Sequence, residues 1–360
     1  MTLKNFLRRR WLAPRAFMPL GVWDGLGSLL LNLLALALLV IYLLPVVYMI
    51  STSVMESPQL GDRYAPIYPA RQDRYTYEGK EYKVYNVPFE GETLQLALVK
   101  PGRLSSQFID PENPQEGLID WEGSWRTLRG VYHFHLELGN FELLAGALRF
   151  PQMLRNTLVM ALIAEVGVLV SSTIVAYGFS RFPLPGGNLL FYVLIATILI
   201  PEKVTLIPTY FFYVRVLEWN GSWLPLLVPF FFGNAVYIFL LRQNFRSIPR
   251  DLDEAAMLDG AGPLRILFSV VLPQSWPVVI TVAILHFFYM WNETRQAALY
   301  LGTRPDLIPL SFGIQNFQSL APVQNILQAS ALVVMIVPVL VLLISQRYFM
   351  RDMVVTGMER

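Results

Sequence analysis

Ser247-Ile248-Pro249-Arg250-Asp251-Leu252-Asp253-Glu254-Ala255-Ala256-Met257-Leu258-Asp259-Gly260-Ala261-Gly262-Pro263 is a short polar stretch held between two strongly apolar runs, residues 223–241 and 274–291. That contrast decides the fold. A membrane-spanning helix needs about 20 mostly apolar residues. Both flanks approach that length, and the stretch between them is too short and too charged to cross. It reads as a surface helix over 249–259, roughly 16 Å long at 1.5 Å per residue. Ser247 is placed to cap it, and Pro249 suits the first turn. Asp251, Asp253 and Glu254 favour the positive end of the helix dipole. Gly260 suits a left-handed stop, and Pro263 prevents continuation.

Working outward, four more apolar runs occupy residues 28–50, 156–180, 188–216 and 326–345. The whole chain of 360 residues is 54% hydrophobic and only 15% charged, against about 25% charged in a soluble domain. This excludes a disordered chain and argues against a soluble enzyme. Cysteine is absent, which excludes disulfides, Cys-ligated zinc and thiol nucleophiles. Three histidines leave little room for a metal site, and a net charge of +2 gives no footprint for nucleic acid. The first run follows Arg8, Arg9 and Arg10, as in a signal peptide. It exceeds the usual apolar core of about 7–15 residues and no A-x-A site follows it, so it reads as a retained span. Pro201 and Pro208 are expected to break or kink the third run. Pro273 and Pro277 are further candidate hinges at the start of the fifth.

Basic residues set the orientation. With the N-terminus inside, inner segments carry thirteen Lys or Arg and the short outer connections carry three (Arg215, Arg295, Arg304). The exception to short loops is 55–150, which has fourteen acids against ten bases. Residues 74–85 alternate around a Gly79-Lys80 turn, 92–100 offers a further strand, and Tyr132, Phe134, Leu136 and Leu138 alternate with polar neighbours. An amphipathic helix near 141–148 is expected to lead into the second span. The reading is an all-α polytopic membrane protein with six transmembrane helices and a β-rich extracytoplasmic insert between the first and second. Its parts are a cytoplasmic segment 1–27, a first transmembrane helix 28–54, the insert 55–150, a core 151–346 and a cytoplasmic tail 347–360.

Glu254-Ala255-Ala256, Asp259-Gly260-Ala261, Phe268, Leu272-Pro273 and Pro277 resemble the EAA loop of binding-protein-dependent ABC importer permeases. The resemblance runs from about residue 140 to the C-terminus. It includes Asn156-Thr157-Leu158, Ala176-Tyr177-Gly178, Arg181-Phe182, Ile200-Pro201, Phe239-Leu240-Leu241-Arg242-Gln243, Trp291-Asn292-Glu293 and Gln346-Arg347-Tyr348-Phe349. Together these are similar to the shorter permease subunit of the maltose-type carbohydrate subfamily, from which the long insert departs. The resemblance implies a multi-pass protein of the prokaryotic inner membrane with both termini cytoplasmic. It implies a heterodimer with a second permease, two cytoplasmic ATPase subunits that bind ATP and Mg, and an extracytoplasmic sugar-binding protein. In that reading Glu254, Ala255, Ala256, Asp259 and Gly260 couple the chain to an ATPase, and ATP drives alternating access for a carbohydrate. No Walker A pattern is present, since Gly79-Lys80 is followed by Glu81. The chain itself is then not an enzyme and binds no cofactor.

Other candidates are weaker. Glu165 lies inside the second span, where an unpaired carboxylate costs about 2.5–3.5 kcal/mol. It suits either a pathway or an interhelical bond. Glu202 and Lys203 follow Pro201, and Asn234 and Tyr237 lie in the fourth span. All four are candidate pathway-lining groups. Trp291, Asn292 and Glu293 open the last outer loop and are candidate contacts for the binding protein. His133 and His135 share a strand face without a third ligand nearby. Alternatives keep the architecture and change the cargo to a peptide, polyamine or anion, or replace ATP by ion coupling, as in a secondary transporter.

Overall fold

The structure is a computed structural model and describes residues 20–89, 91–147, 149–320 and 323–357. The basic cluster Arg8–Arg10 and most of the expected N-terminal segment lie outside the described residues.

Helix α1 (Leu20–Ser53) is built from the leucine-rich first run, and Pro45 lies inside it. It touches α11 (Gln324–Gly357) along one side, yet most of its surface is open, and Leu30 is 70% exposed. A ridge of leucines this open is stable only in lipid or against another chain. Eight strands follow among the described residues. β1 (Ala70–Gln72) pairs antiparallel with β8 (Tyr132–Phe134). β2 (Arg74–Tyr77), β3 (Lys80–Phe89), β4 (Glu92–Lys100), β5 (Ser105–Ile109) and β6 (Leu118–Glu122) form an antiparallel sheet in sequence order, and β7 (Arg129–Gly130) pairs with β3. The β2–β3 turn is Glu78-Gly79, one residue earlier than the alternation suggests, because both residues adopt positive φ (48° and 76°). This is the conformation a two-residue hairpin demands. Period-2 alternation sends Tyr85, Val87, Leu96 and Phe108 to one buried face and Val84, Ala97 and Ile109 to the other.

The sheet is fastened at its base. Asn140 donates to the carbonyls of Ser53 (2.9 Å) and Met55 (3.0 Å), and Asn325 donates to Asn140 Oδ1 (2.9 Å) and Met55 O (3.2 Å). Both amides are buried. Arg71 bridges Glu56 (2.5 Å) and Glu137 (2.8 Å). Partial burial opposes ionisation of Glu137, yet Arg71 and the Gly139 N–H hold its carboxyl below the usual range. That contribution is present above the ordinary carboxylate pKa and is lost as pH falls through the lowered one.

Helix α2 (Gly139–Ala147) leads into α3 (Phe150–Arg181), the spine of the bundle. Two apolar clusters lie along it. One gathers Met160, Ala164, Trp291, Tyr300 and Leu310. The other gathers Val168, Ala176, Leu241, Phe245 and Val282. Gly167 allows the ring of Phe231 to lie against the α3 backbone, since a Cβ there would meet it at 2.8 Å. α4 (Gly187–Ile198) and α5 (Glu202–Phe211) are related by a bend of 93°, in which Pro201 occupies the break. Pro208 does not break α5: the helix continues through it, and the irregularity lies downstream. There a wider turn, Phe212–Val216, closes with Leu217 N–H on Phe212 O at 3.0 Å. The lost donor at Pro208 affects one carbonyl, whereas Pro201 stands where neither helix needs its N–H.

The fourth run starts with a helical turn at Leu224–Leu227 and ends in α6 (Ala235–Ser247). α7 (Asp251–Leu258) follows. Helical residues from Pro263 to Gln274 then meet α8 (Trp276–Trp291) at 83°, with Pro273 and Pro277 on either side of the buried Ser275. The expected span 274–291 is therefore one arm of a bent pair. α9 (Arg295–Leu301), α10 (Leu310–Leu320) and α11 (Gln324–Gly357) complete the chain. Among the described residues, four helices are long and apolar enough to cross a membrane, or up to six if each bent pair is one span.

Replacing Asn325 by Leu leaves the buried Asn140 Oδ1 without its donor and takes away one of the two donors to the Met55 carbonyl, at about 1–3 kcal/mol. The expected result is a lower thermal midpoint and faster hydrogen exchange in residues 53–59, while exchange in α3 is unchanged.

Candidate functional site

α7 is shorter than the sequence suggests, eight residues rather than 249–259. Ser247 is not its cap. It ends α6, where its hydroxyl donates to Asn244 O (2.7 Å). The cause is Pro249, which holds the preceding Ile248 in an extended conformation (ψ 125°) and delays the next helix. The first turn forms when the N–H groups of Asp253 and Glu254 reach Arg250 O, at 2.9 and 3.0 Å. At the other end Gly260 is left-handed (φ 80°). Its N–H bonds Met257 O and that of Ala261 bonds Ala256 O, both at 2.9 Å. This pair of bonds is a Schellman stop.

The helix has two unlike faces. Asp253 is buried, and Ala256 packs against the second apolar cluster. Leu252, Glu254, Ala255, Met257 and Asp259 are exposed, and Leu258 is 90% exposed. Beyond the turn, Leu264 and Phe268 are also exposed. No side-chain bond from another described residue reaches Glu254 or Ala255.

The buried face contains a site that the sequence reading missed. Arg181, the last residue of α3, places Nε 2.7 Å from Asp253 Oδ2, and both side chains are about 6–7% exposed. Arg181 also donates to Ile248 O (3.2 Å), Arg250 donates to Ser180 O (3.3 Å), and the Tyr177 hydroxyl donates to Pro263 O (3.1 Å). The end of α3 thus holds the whole connection from α6 to Pro263. The available signal was an arginine closing a long apolar run and an aspartate one residue before Glu254, on the opposite helix face.

Several polar groups in the apolar runs find partners within the chain, while Glu165 Oε1 and His286 Nε2 are buried with none among the described residues. Glu165 Oε2 lies 3.0 Å from Nδ1 of the fully buried His286, which joins α3 to α8. Glu165 also borders a largely apolar groove with Leu162, Ile284, Phe287 and Val341. Asn234 caps α6 by accepting from Val236 and Tyr237 N–H (3.0 and 3.3 Å), and Tyr237 is buried near the His286 ring. Asn234 stays partly exposed with only its Oδ1 engaged in the cap, while Tyr237 is buried. Glu202 is exposed and pairs with Arg295 at 3.0 Å, and Lys203 is exposed. Trp291 is fully buried. It stacks on Phe287 and donates to Val334 O (3.0 Å), so it offers no surface to a binding protein. Asn292 is exposed, while Glu293 is half-buried and accepts from Gln296 N–H (2.7 Å). His133 bonds Asp73, and His135 lies 3.9 Å from Glu137. Among the described residues no group of three or more His, Asp or Glu is placed to hold a metal ion.

Removing one member of a buried ion pair costs about 3–5 kcal/mol, because the other charge is left in place. Asp253→Ala and Arg181→Ala are each expected to lower the thermal midpoint of the purified protein sharply. Arg181→Met combined with Asp253→Leu is expected to recover most of the loss.

Residues 167–355, which contain α7 and both bends, match the family described as binding-protein-dependent transport system inner membrane component. The osmoprotective compounds uptake permease protein GgtD of Synechocystis sp. is 31% identical over 249 residues, covering 68% of this chain and 82% of that protein. The sn-glycerol-3-phosphate transport system permease protein UgpE of Pectobacterium atrosepticum is 34% identical over 208 residues, covering 57% and 73%. A bacterial ABC transporter involved in the import of the acidic polysaccharide alginate shares the fold, with a TM-score of 0.57 at 20% identity over 92% of this chain and 99% of that one. The chain belongs to the inner membrane component family of binding-protein-dependent transport systems.

Proposed function

We propose that this chain is one of two permease subunits of an ATP-driven importer, and that it moves a carbohydrate handed over by an external binding protein. In this reading ATP and Mg belong to two partner ATPases. The single observation that carries it is the split face of α7, whose outward side leaves Leu252, Glu254, Ala255, Met257 and Leu258 exposed, uncovered by any other described element. A short rigid rod with small and apolar residues outward and an anchored inner face suits a cleft on another protein.

The six-span arrangement follows if each bent pair crosses once. It puts 55–150 outside, 151–346 in the transport core, and 1–27 and 347–360 in the cytoplasm. The thirteen-to-three bias of basic residues supports this orientation. ATP-driven closure of the partners would displace α7. Asp253 and Arg181 would pass that displacement to α3, and the Ala261–Pro263 turn would pass it toward α8. The bends at Pro201 and Ser275 are where the backbone can pivot. This is a two-state element biased from a distant site. The names of relatives support a carbohydrate or polyol cargo. The relative named for sn-glycerol-3-phosphate favours a second reading, an anionic polyol phosphate, which uptake assays with maltose and sn-glycerol 3-phosphate separate.

Glu254→Lys reverses an exposed charge, and Gly260→Pro is incompatible with φ 80° and removes the N–H bonded to Met257 O. Both variants are expected to insert and fold with the wild-type span pattern and to lose most substrate-stimulated ATP hydrolysis in the assembled complex. Full stimulation in both variants would overturn the role given to α7.

A further inference from the structure

We infer that a cavity between α5, α8 and α9 is a sugar-ring subsite carried by this chain itself, an inference that rests on the carbohydrate reading above. The cavity measures about 210 Å³, and its lining includes Glu202, Thr209, Tyr213, Tyr289, Gln296 and Tyr300.

Its position follows from the backbone. The 93° bend at residues 199–201 turns α5 across the end of α8, so that the first residue of α5 and the last turn of α8 face one space. Interrupted helices at membrane depth persist where they are buried in protein or line a cavity, and such interruptions frame substrate sites in other transporters.

Its chemistry is mixed in the way a sugar requires. A pyranose has flat C–H faces and a rim of hydroxyls. Tyr213 and Tyr300 form a tilted aromatic pair with centroids 6.0 Å apart. Trp219 stacks behind Tyr213 at 5.5 Å and Tyr210 against Tyr300 at 5.8 Å, which fixes that wall. The rim comprises the Thr209 hydroxyl, the Glu202 carboxylate, and the Gln296 amide, which reaches the Tyr289 hydroxyl at 3.4 Å. Such a lining, apolar and aromatic with a few convergent polar groups, is the general form of a small-molecule site. Charge narrows the class. Glu202 is already balanced by Arg295 at 3.0 Å, so the cavity suits a neutral ring better than a cation or an anion. Its volume is below the ~300–1,000 Å³ of complete ligand pockets. One ring fits, and the remainder of a longer sugar would extend toward the second permease.

The test uses the full complex in proteoliposomes with its binding protein and ATPases. It measures solute moved per ATP hydrolysed for maltose, trehalose and the acyclic sn-glycerol 3-phosphate. Thr209→Val, Gln296→Leu and Tyr289→Leu, chosen because none of them is fully buried, are each expected to lower sugar moved per ATP about tenfold. A general structural defect would lower uptake and hydrolysis together and leave the ratio unchanged. An unchanged ratio in all three variants, with the wild type transporting a sugar, overturns the subsite alone. Uptake of sn-glycerol 3-phosphate without either sugar overturns the carbohydrate reading and the subsite with it.

Discussion

The pairing of Arg181 with Asp253 is the interaction on which the rest of the core depends. Two charges are withdrawn from water at the meeting of α3 and α7, and either one alone would be costly there. The pair is therefore tolerable only while the two helices hold one mutual register. Backbone carbonyls of Ser180, Ile248 and Pro263 accept the neighbouring donors, so the register is fixed in direction as well as distance. α7 is consequently an extension of α3 rather than a loose surface loop. Since α3 runs through both apolar clusters, a displacement at α7 has a packed path into each of them.

A second constraint comes from membrane depth, where backbone groups need partners within the protein. The chain places its irregular backbone where other elements cover it or where a cavity opens. Ser171 donates to Phe230 O (2.9 Å), which holds the tight 3-10 turns Val228–Phe232 ahead of α6 against α3. Asn156 donates to the carbonyls of Asp306 and Ile308, and Thr157 Oγ1 accepts from Leu310 N–H. These bonds give physical content to the Asn156-Thr157 landmark, because the residues pin a connecting loop to the head of α3. The Glu165–His286 contact serves the same end between α3 and α8.

Much of this was legible in the sequence. Apolar run length identified the helices. Gly260 announced a left-handed stop because few other residues adopt that conformation without strain, and Pro201 marked a break because it lacks a donor. What stayed hidden was tertiary. Nothing local distinguishes Pro208, which α5 absorbs, from Pro201. The cap at Ser247 failed because the residue before a proline is forced into extended backbone, which outweighed a favourable side chain. Trp291 and Asn234 have the composition of ligand contacts, and only packing reveals that one fills the core and the other closes a helix. The partners Arg181 and Asp253 are 72 positions apart in the chain, a separation that no periodicity links.

The footing of the sheet has a mechanical consequence. Asn140 and Asn325 clamp residues 53–57 to the head of α11, so the strands stand on the first and the last helix at once. A rigid plate mounted on two posts works like a dial needle: a small change in the angle between the posts becomes a larger sweep at the free edge. The edge strand β6, at the opposite side of the sheet from β2, then sweeps farthest within the sheet when the helices below change their angle.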